Sequence, residues 1–151
     1  TMNVFKNIFK YLFLFFFGGG LYCLVEMLFR GHTHPTMILV GGICFFICGI
    51  LNEVISWEMP LPKQMLICAV CITIIEFISG IILNIHLQLA IWDYSNMPLN
   101  VKGQICLPFM IMWYFLSAVG IVTDDYLRYW IFNENKPHYV LRKRKQRGKG
   151  R

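Results

Sequence analysis

Four long apolar stretches, joined by segments too short to fold by themselves, leave this chain few architectures. They run roughly over residues 5–29, 36–57, 64–87 and 104–122. Each approaches the ~20 apolar residues needed to cross ~30 Å of hydrocarbon. Backbone polar groups have no water to bond in lipid, so each stretch is expected to satisfy them internally as a helix. The composition agrees: of 151 residues, 57% are hydrophobic and 15% are charged, against about 45–50% and about 25% in a soluble domain. The sequence therefore predicts an all-α, polytopic membrane protein with four transmembrane helices arranged as two helical hairpins. The first stretch is too long for a cleaved signal peptide, and no small-residue cleavage site closes it before Arg30.

The basic residues set an orientation. Lys6 and Lys10 precede the first span, Lys63 lies between the second and third, and Arg128 follows the fourth. With the eight in the tail from Lys136 onward, twelve of the fourteen fall on one side; Arg30 and Lys102 fall on the other. That bias places both termini in the cytoplasm of a plasma-membrane protein. Residues 1–135 are then the membrane domain and 136–151 a basic cytoplasmic tail. Residues 1–135 carry six basic and eight acidic side chains, so the tail, with its run Arg142-Lys143-Arg144-Lys145-Gln146-Arg147, supplies the excess behind the net charge of +6. It suits contact with anionic lipid headgroups, and no nucleic-acid partner is expected. Asp124 to Asn133 reads as a cytoplasmic or interfacial amphipathic helix ended by Pro137.

The two hairpins carry hints of a parallel repeat. Gly41-Gly42-Ile43-Cys44 resembles Gly103-Gln104-Ile105-Cys106, and Glu26 corresponds to Glu76.

Polar chemistry is concentrated at the outer side and at one point within the membrane. Glu26 and Arg30 stand at i and i+4, the order that favours a helical ion pair. His32 and His34 flank Thr33 and point the same way on an extended segment. They could share a metal with Asp93 or Glu26, work as acid or base, or cap and bond the loop. No third ligand has a fixed spacing, so no metal is assigned. In the second outer segment, Trp92 and Tyr94 suit the headgroup level, and Asn96-Met97-Pro98 reads as a turn.

Glu76 lies near the middle of the third span, where a charge costs ~2.5–3.5 kcal/mol on insertion scales. Gly80 and Asn84 follow at i+4 and i+8, giving one small, polar face that should look into the bundle. Such a face fits an interhelical hydrogen-bonded carboxyl, or a translocation path, proton relay or substrate pocket. Glu53, at the inner end of the second span, reads as a solvated charge. Cys68-x-x-Cys71 has redox spacing, yet all six cysteines sit in apolar stretches and read first as packing residues. No phosphate-binding Gly-x-x-x-x-Gly-Lys-Ser/Thr pattern is present.

The run Gly19-Gly20-Leu21-Tyr22, Glu26, Arg30-Gly31-His32-Thr33-His34, Met37 and Gly41-Gly42 resembles the putative ABC-transporter type IV family of small bacterial membrane proteins. So do Ile75-Glu76-Phe77-Ile78-Ser79-Gly80, Asn84, Trp92-Asp93-Tyr94-Ser95-Asn96, Pro98, Asn100, Gly103 to Leu107 and Trp113. The resemblance covers roughly residues 18–117 and implies a four-span integral membrane protein. Three functions are compatible with the residues. One is a transport or permease-like protein with Glu76 and Asn84 on its path. Glu26, Arg30, His32, His34, Asp93, Tyr94 and Asn100 would then form an outer polar site. The second is a membrane enzyme acting on a lipid-linked group, with His32 or Asp93 as acid or base. The third is a structural or regulatory subunit. Four spans are few for a complete path, so a homodimer or a membrane partner subunit is expected. No cofactor can be named from the sequence.

Overall fold

A computed structural model describes residues 2–55 and 59–141, and within them every side chain except those of Met2, Asn3, Phe29, Arg30 and Asn52. The Glu26–Arg30 pair, the end of the second stretch near Trp57 and the basic run 142–147 therefore lie outside the described residues.

Among the described residues the architecture is four helices with no sheet. α1 spans Met2–Arg30, α2 Thr36–Val54, α3 Leu61–Gly80 and α4 Leu107–Phe132. α3 continues through a six-residue π-helical turn, Ile81–His86. Three helices are long and apolar enough to cross a membrane: Val4–Leu28, Leu61–His86 and Leu107–Phe132. The apolar part of α2, Thr36–Leu51, is shorter.

Two hairpins form the bundle. α1 packs along α2, α3 along α4, and α2 touches both members of the second pair, whereas α1 barely meets α4. Glycines permit the close approach of α1 and α2. A Cβ on Gly18 would sit 2.2 Å from Phe45 Cβ, and one on Gly42 would sit 2.8 Å from the Phe15 carbonyl oxygen. Small residues at helix crossings let backbones approach in this way in lipid, where the hydrophobic effect cannot drive helix association.

The sequence reading needs correction at the second hairpin. The fourth helix starts at Leu107 rather than near 104, and it continues unbroken to Phe132. The helix expected over 124–133 is thus present as the last part of α4. It ends at Asn133, which adopts a left-handed conformation (φ 54°) and caps the helix before Pro137 is reached. The two similar Gly-x-Ile-Cys segments also differ: Gly41 to Cys44 lie inside α2, while Gly103 to Cys106 form the loop before α4. At that motif the hairpins are not equivalent.

Candidate functional site

The expected small, polar face of α3 is turned toward the protein, and each member does something different. Glu76 is 7% exposed. Its Oε1 accepts a hydrogen bond from the Tyr94 hydroxyl at 2.8 Å, and its Oε2 accepts one from the Trp113 indole N–H at 2.9 Å. Gly80 leaves room for Gln104, whose Oε1 would be 2.5 Å from a Cβ at that position. Asn84 donates to the same Gln104 Oε1 at 2.8 Å, and its own Oδ1 accepts the Ile91 backbone N–H. Asn84 therefore fastens the loop that follows α3.

The loop between α3 and α4, residues 87–106, is a folded cap. Trp92 and Tyr94 are both buried, which corrects their reading as headgroup anchors. Trp92 donates its indole N–H to the Gln104 carbonyl oxygen at 3.0 Å. Tyr94 dips to Glu76 and stacks on Phe109, with ring centroids 4.5 Å apart. Gln88, Ala90, Leu99 and Lys102 all have positive φ. Such conformations persist in residues with a Cβ only where surrounding bonds fix them. Asn100 supplies several of those bonds, donating to the carbonyls of Ser95 and Met97 and accepting the Gly103 N–H. Asp93 is exposed and accepts from both the backbone N–H and the hydroxyl of Ser95. The Ser95 hydroxyl bond, then the backbone one, holds its carboxyl below the usual aspartate range.

The segment between α1 and α2 is simpler. Thr33 donates to Glu26 Oε2 at 2.9 Å. His34 lies at the start of α2, where Nδ1 accepts the Thr36 N–H and lies 2.7 Å from the Thr36 hydroxyl. Helix starts leave N–H groups without intrahelical partners, and His34 satisfies one, so its position matches the capping reading. His32 is exposed. Among the described residues no three His, Cys, Asp or Glu side chains are grouped to hold a metal ion. All six cysteines are free thiols; Cys68 is core-buried, in the same cluster as Cys48.

Between the hairpins, where α1 and α4 stand apart, lies a cavity of 530 Å³. α1 contributes Gly18, Leu21, Val25 and Glu26, while α4 contributes Leu116, Val119 and Gly120. Glu76 enters it from α3, surrounded by the rings of Tyr22, Trp92, Tyr94, Phe109 and Trp113. Tyr22 stacks on Trp113 at 5.9 Å. Of the sequence-predicted residues, the structure brings Glu26, Glu76 and Tyr94 to this one space. His32, His34, Asn84, Asp93 and Asn100 are not among its walls.

A second polar cluster lies at the opposite end of the bundle and was missed in the sequence. Arg128 is only 2% exposed. Its Nε stands 2.9 Å from Asp124 Oδ2, and its Nη1 pairs with Glu53 and, at 3.7 Å, with Glu134. Lys10 adds contacts to Glu53 and Glu134 at 3.8 and 3.7 Å. Tyr11 donates to Glu53 at 2.8 Å. Glu53 is exposed, as expected of a solvated charge, and it is also paired. Gly49 makes the approach possible, since a Cβ there would be 2.7 Å from Asp124 Oδ1 and 2.8 Å from an Arg128 nitrogen. The cluster ties α1, α2, α4 and the segment after α4 together at one end. A signal was available: Trp113, Ser117, Ile121, Asp124, Arg128 and Phe132 fall at helical three-and-four spacing, one buried stripe that includes the charges.

A helical membrane protein with an aromatic, carboxylate-bearing cavity between two hairpins is the class these features define. The chain belongs to the family described as putative ABC-transporter type IV, whose model matches residues 4–138. No curated protein and no solved structure gives a significant match to the chain.

Proposed function

We propose that this chain is a transport-type protein of the plasma membrane whose ligand site is the cavity around Glu76. Family membership and the apolar helices support the transporter class. A fourth span is supported by the length of α2, whose 19 residues extend ~28 Å at 1.5 Å per residue, close to the ~30 Å hydrocarbon thickness. The Lys/Arg bias and the meeting of Lys10 with Glu134 at one end support cytoplasmic placement of both termini. Impermeant thiol reagents should then label Thr33→Cys and Ser95→Cys in intact cells. Protection of both would reverse the orientation.

The observation that carries the site is a buried carboxylate among aromatic rings in a space of 530 Å³. That volume is in the range of small-molecule pockets, ~300–1,000 Å³. Ring faces attract cations, and the Glu76 carboxylate, held by Tyr94 and Trp113, stands among several such rings. The ligand that fits is an amphipathic cation, its charged head at Glu76 and its apolar part along Leu21, Val25, Leu116 and Val119. Glu26 stands at the entrance. His32 belongs to the outer face around it, while His34, Asn84, Asp93 and Asn100 hold the loops in shape. Two copies would give a more complete path than four spans alone, and the basic tail would rest on anionic lipid.

Proteoliposomes test this reading. Methyltriphenylphosphonium uptake should exceed that of protein-free vesicles and fall about tenfold or more in Glu76→Gln, an effect of ~1.4 kcal/mol or more. Uptake equal to that of empty vesicles would contradict it.

A further inference from the structure

The cavity around Glu76 is closed at both ends and open at one side. At one end the loop between α3 and α4 forms its roof. Trp92 and Tyr94 line the cavity from that loop, both are buried, and Tyr22 and Cys23 of α1 pack against their cluster. At the other end the charged cluster ties the helices together. Lys10 of α1 contacts Glu53 and Glu134, and Arg128 of α4 pairs with Glu53 of α2. Phe132 of α4 also meets Phe9 and Phe13 of α1 there, with ring centroids 6.4 and 5.9 Å apart. A ligand entering from either end would have to break these contacts.

The side is different. α1 and α4 touch at Phe132 and again where Tyr22 stacks on Trp113. Between these two contacts they part. Gly18 and Leu21 form the α1 wall of a window there, and Leu116, Val119 and Gly120 form the α4 wall. Val119 lines the cavity and is still 56% exposed, so the cavity reaches the surface at this place. A Cβ on Gly120 would meet nothing within 4 Å, which leaves the gap free of side chains.

The depth of the window decides what it faces. Gly18 and Gly120 lie near the middles of the two spans Val4–Leu28 and Leu107–Phe132. With those helices across a bilayer, the window looks onto lipid chains and not onto water. Its walls are apolar, as are the chains outside it, so hydrocarbon can pass from lipid into the cavity without being hydrated on the way.

We propose that this window is a lateral portal: the cavity takes its ligand from the hydrocarbon of the bilayer, and an acyl chain of a bilayer lipid enters when no such ligand is bound. This rests on the reading of the Glu76 cavity as the ligand site and adds the phase from which that site is filled. The ligand is then a membrane-dissolved amphiphile with an alkyl or aryl body. A head resting at Glu26, one helical turn beyond Tyr22, leaves that body alongside Leu21 and Gly18.

Photolabelling of the full chain in bilayers tests the portal. The probe is a phosphatidylcholine carrying a diazirine midway along one acyl chain. Ile72, Glu76 and Trp113 line the cavity and are 7%, 7% and 8% exposed; Ile111 and Phe115 are exposed and do not line it. Irradiation should place adducts on both groups in the wild type. Gly120→Phe should cut those on Ile72, Glu76 and Trp113 about tenfold or more. Labelling of Ile111 and Phe115 should persist in that variant, as it does only if the helices still cross the bilayer. Gly20→Phe should leave both groups labelled. Tetraphenylphosphonium should displace the cavity adducts alone. An absence of adducts on the three cavity residues in the wild type, as when a second copy covers the window, would overturn the portal. So would adducts there that Gly120→Phe does not reduce. If the cation still binds in a Gly120-dependent way in either case, the ligand site stands without the portal. Cavity adducts that tetraphenylphosphonium fails to displace would instead keep the portal and overturn the cation reading.

Discussion

Arg128→Ala is expected to destabilise the bundle by about 3–5 kcal/mol, the range for removing one partner of a buried ion pair. The guanidinium contacts three carboxylates from two helices and the following segment. Without it Asp124, 1% exposed, loses its cation. Lysine should recover only part of the loss, because a point charge on a flexible stem cannot reproduce a planar fork held between several acids. The check is the thermal unfolding midpoint of the purified protein in detergent. It should rank wild type above Arg128→Lys and that above Arg128→Ala. Equal midpoints for wild type and the alanine variant would show that the cluster contributes nothing to the fold.

Glu76→Lys should have a comparably large effect, and its cause is different. Both carboxylate oxygens of Glu76 receive neutral donors. Glutamine can still accept one of these bonds, leucine neither. Each buried donor left unsatisfied costs about 1–3 kcal/mol. Lysine is worse, since it presents further donors to the Tyr94 hydroxyl and Trp113 N–H and brings an ammonium into an apolar space. The midpoints should therefore fall in the order Gln, Leu, Lys, with lysine the least stable. A lysine variant as stable as the leucine one would show that water reaches position 76 freely.

Much of this architecture was legible because lipid imposes a strong, simple rule. Helix positions for the first three spans follow from apolar length alone, and α1 and the start of α2 fall within a few residues of expectation. Glu76 was legible for the same reason, as a lone carboxylate at membrane depth. Its partners were not. Tyr94 reaches it from a loop 18 residues away and Trp113 from another helix, and nothing local marks either pairing. Trp92 and Tyr94 carry the composition of an interfacial belt, yet the loop folds them inward. Arg128 was read by the rule that charges end a span. Here the charged residues stay on the buried stripe of α4, balanced by Glu53, a partner 75 positions away. His34 is the opposite case, since its bond to Thr36 is local and visible in the spacing.

The claim that the Glu76 cavity is the ligand site is tested most directly by two ions of nearly equal shape and opposite charge. Gly120 lines the cavity, and a Cβ there would meet nothing within 4 Å. Gly120→Phe should thus fill the space without disturbing the helices. Calorimetric titration of the purified protein should show binding of tetraphenylphosphonium and little of tetraphenylborate. The cation's binding should be lost in Gly120→Phe but kept in Gly20→Phe, where a Cβ also meets nothing within 4 Å and the position does not line the cavity. Equal binding of both ions, or cation binding that survives in Gly120→Phe, would contradict the account.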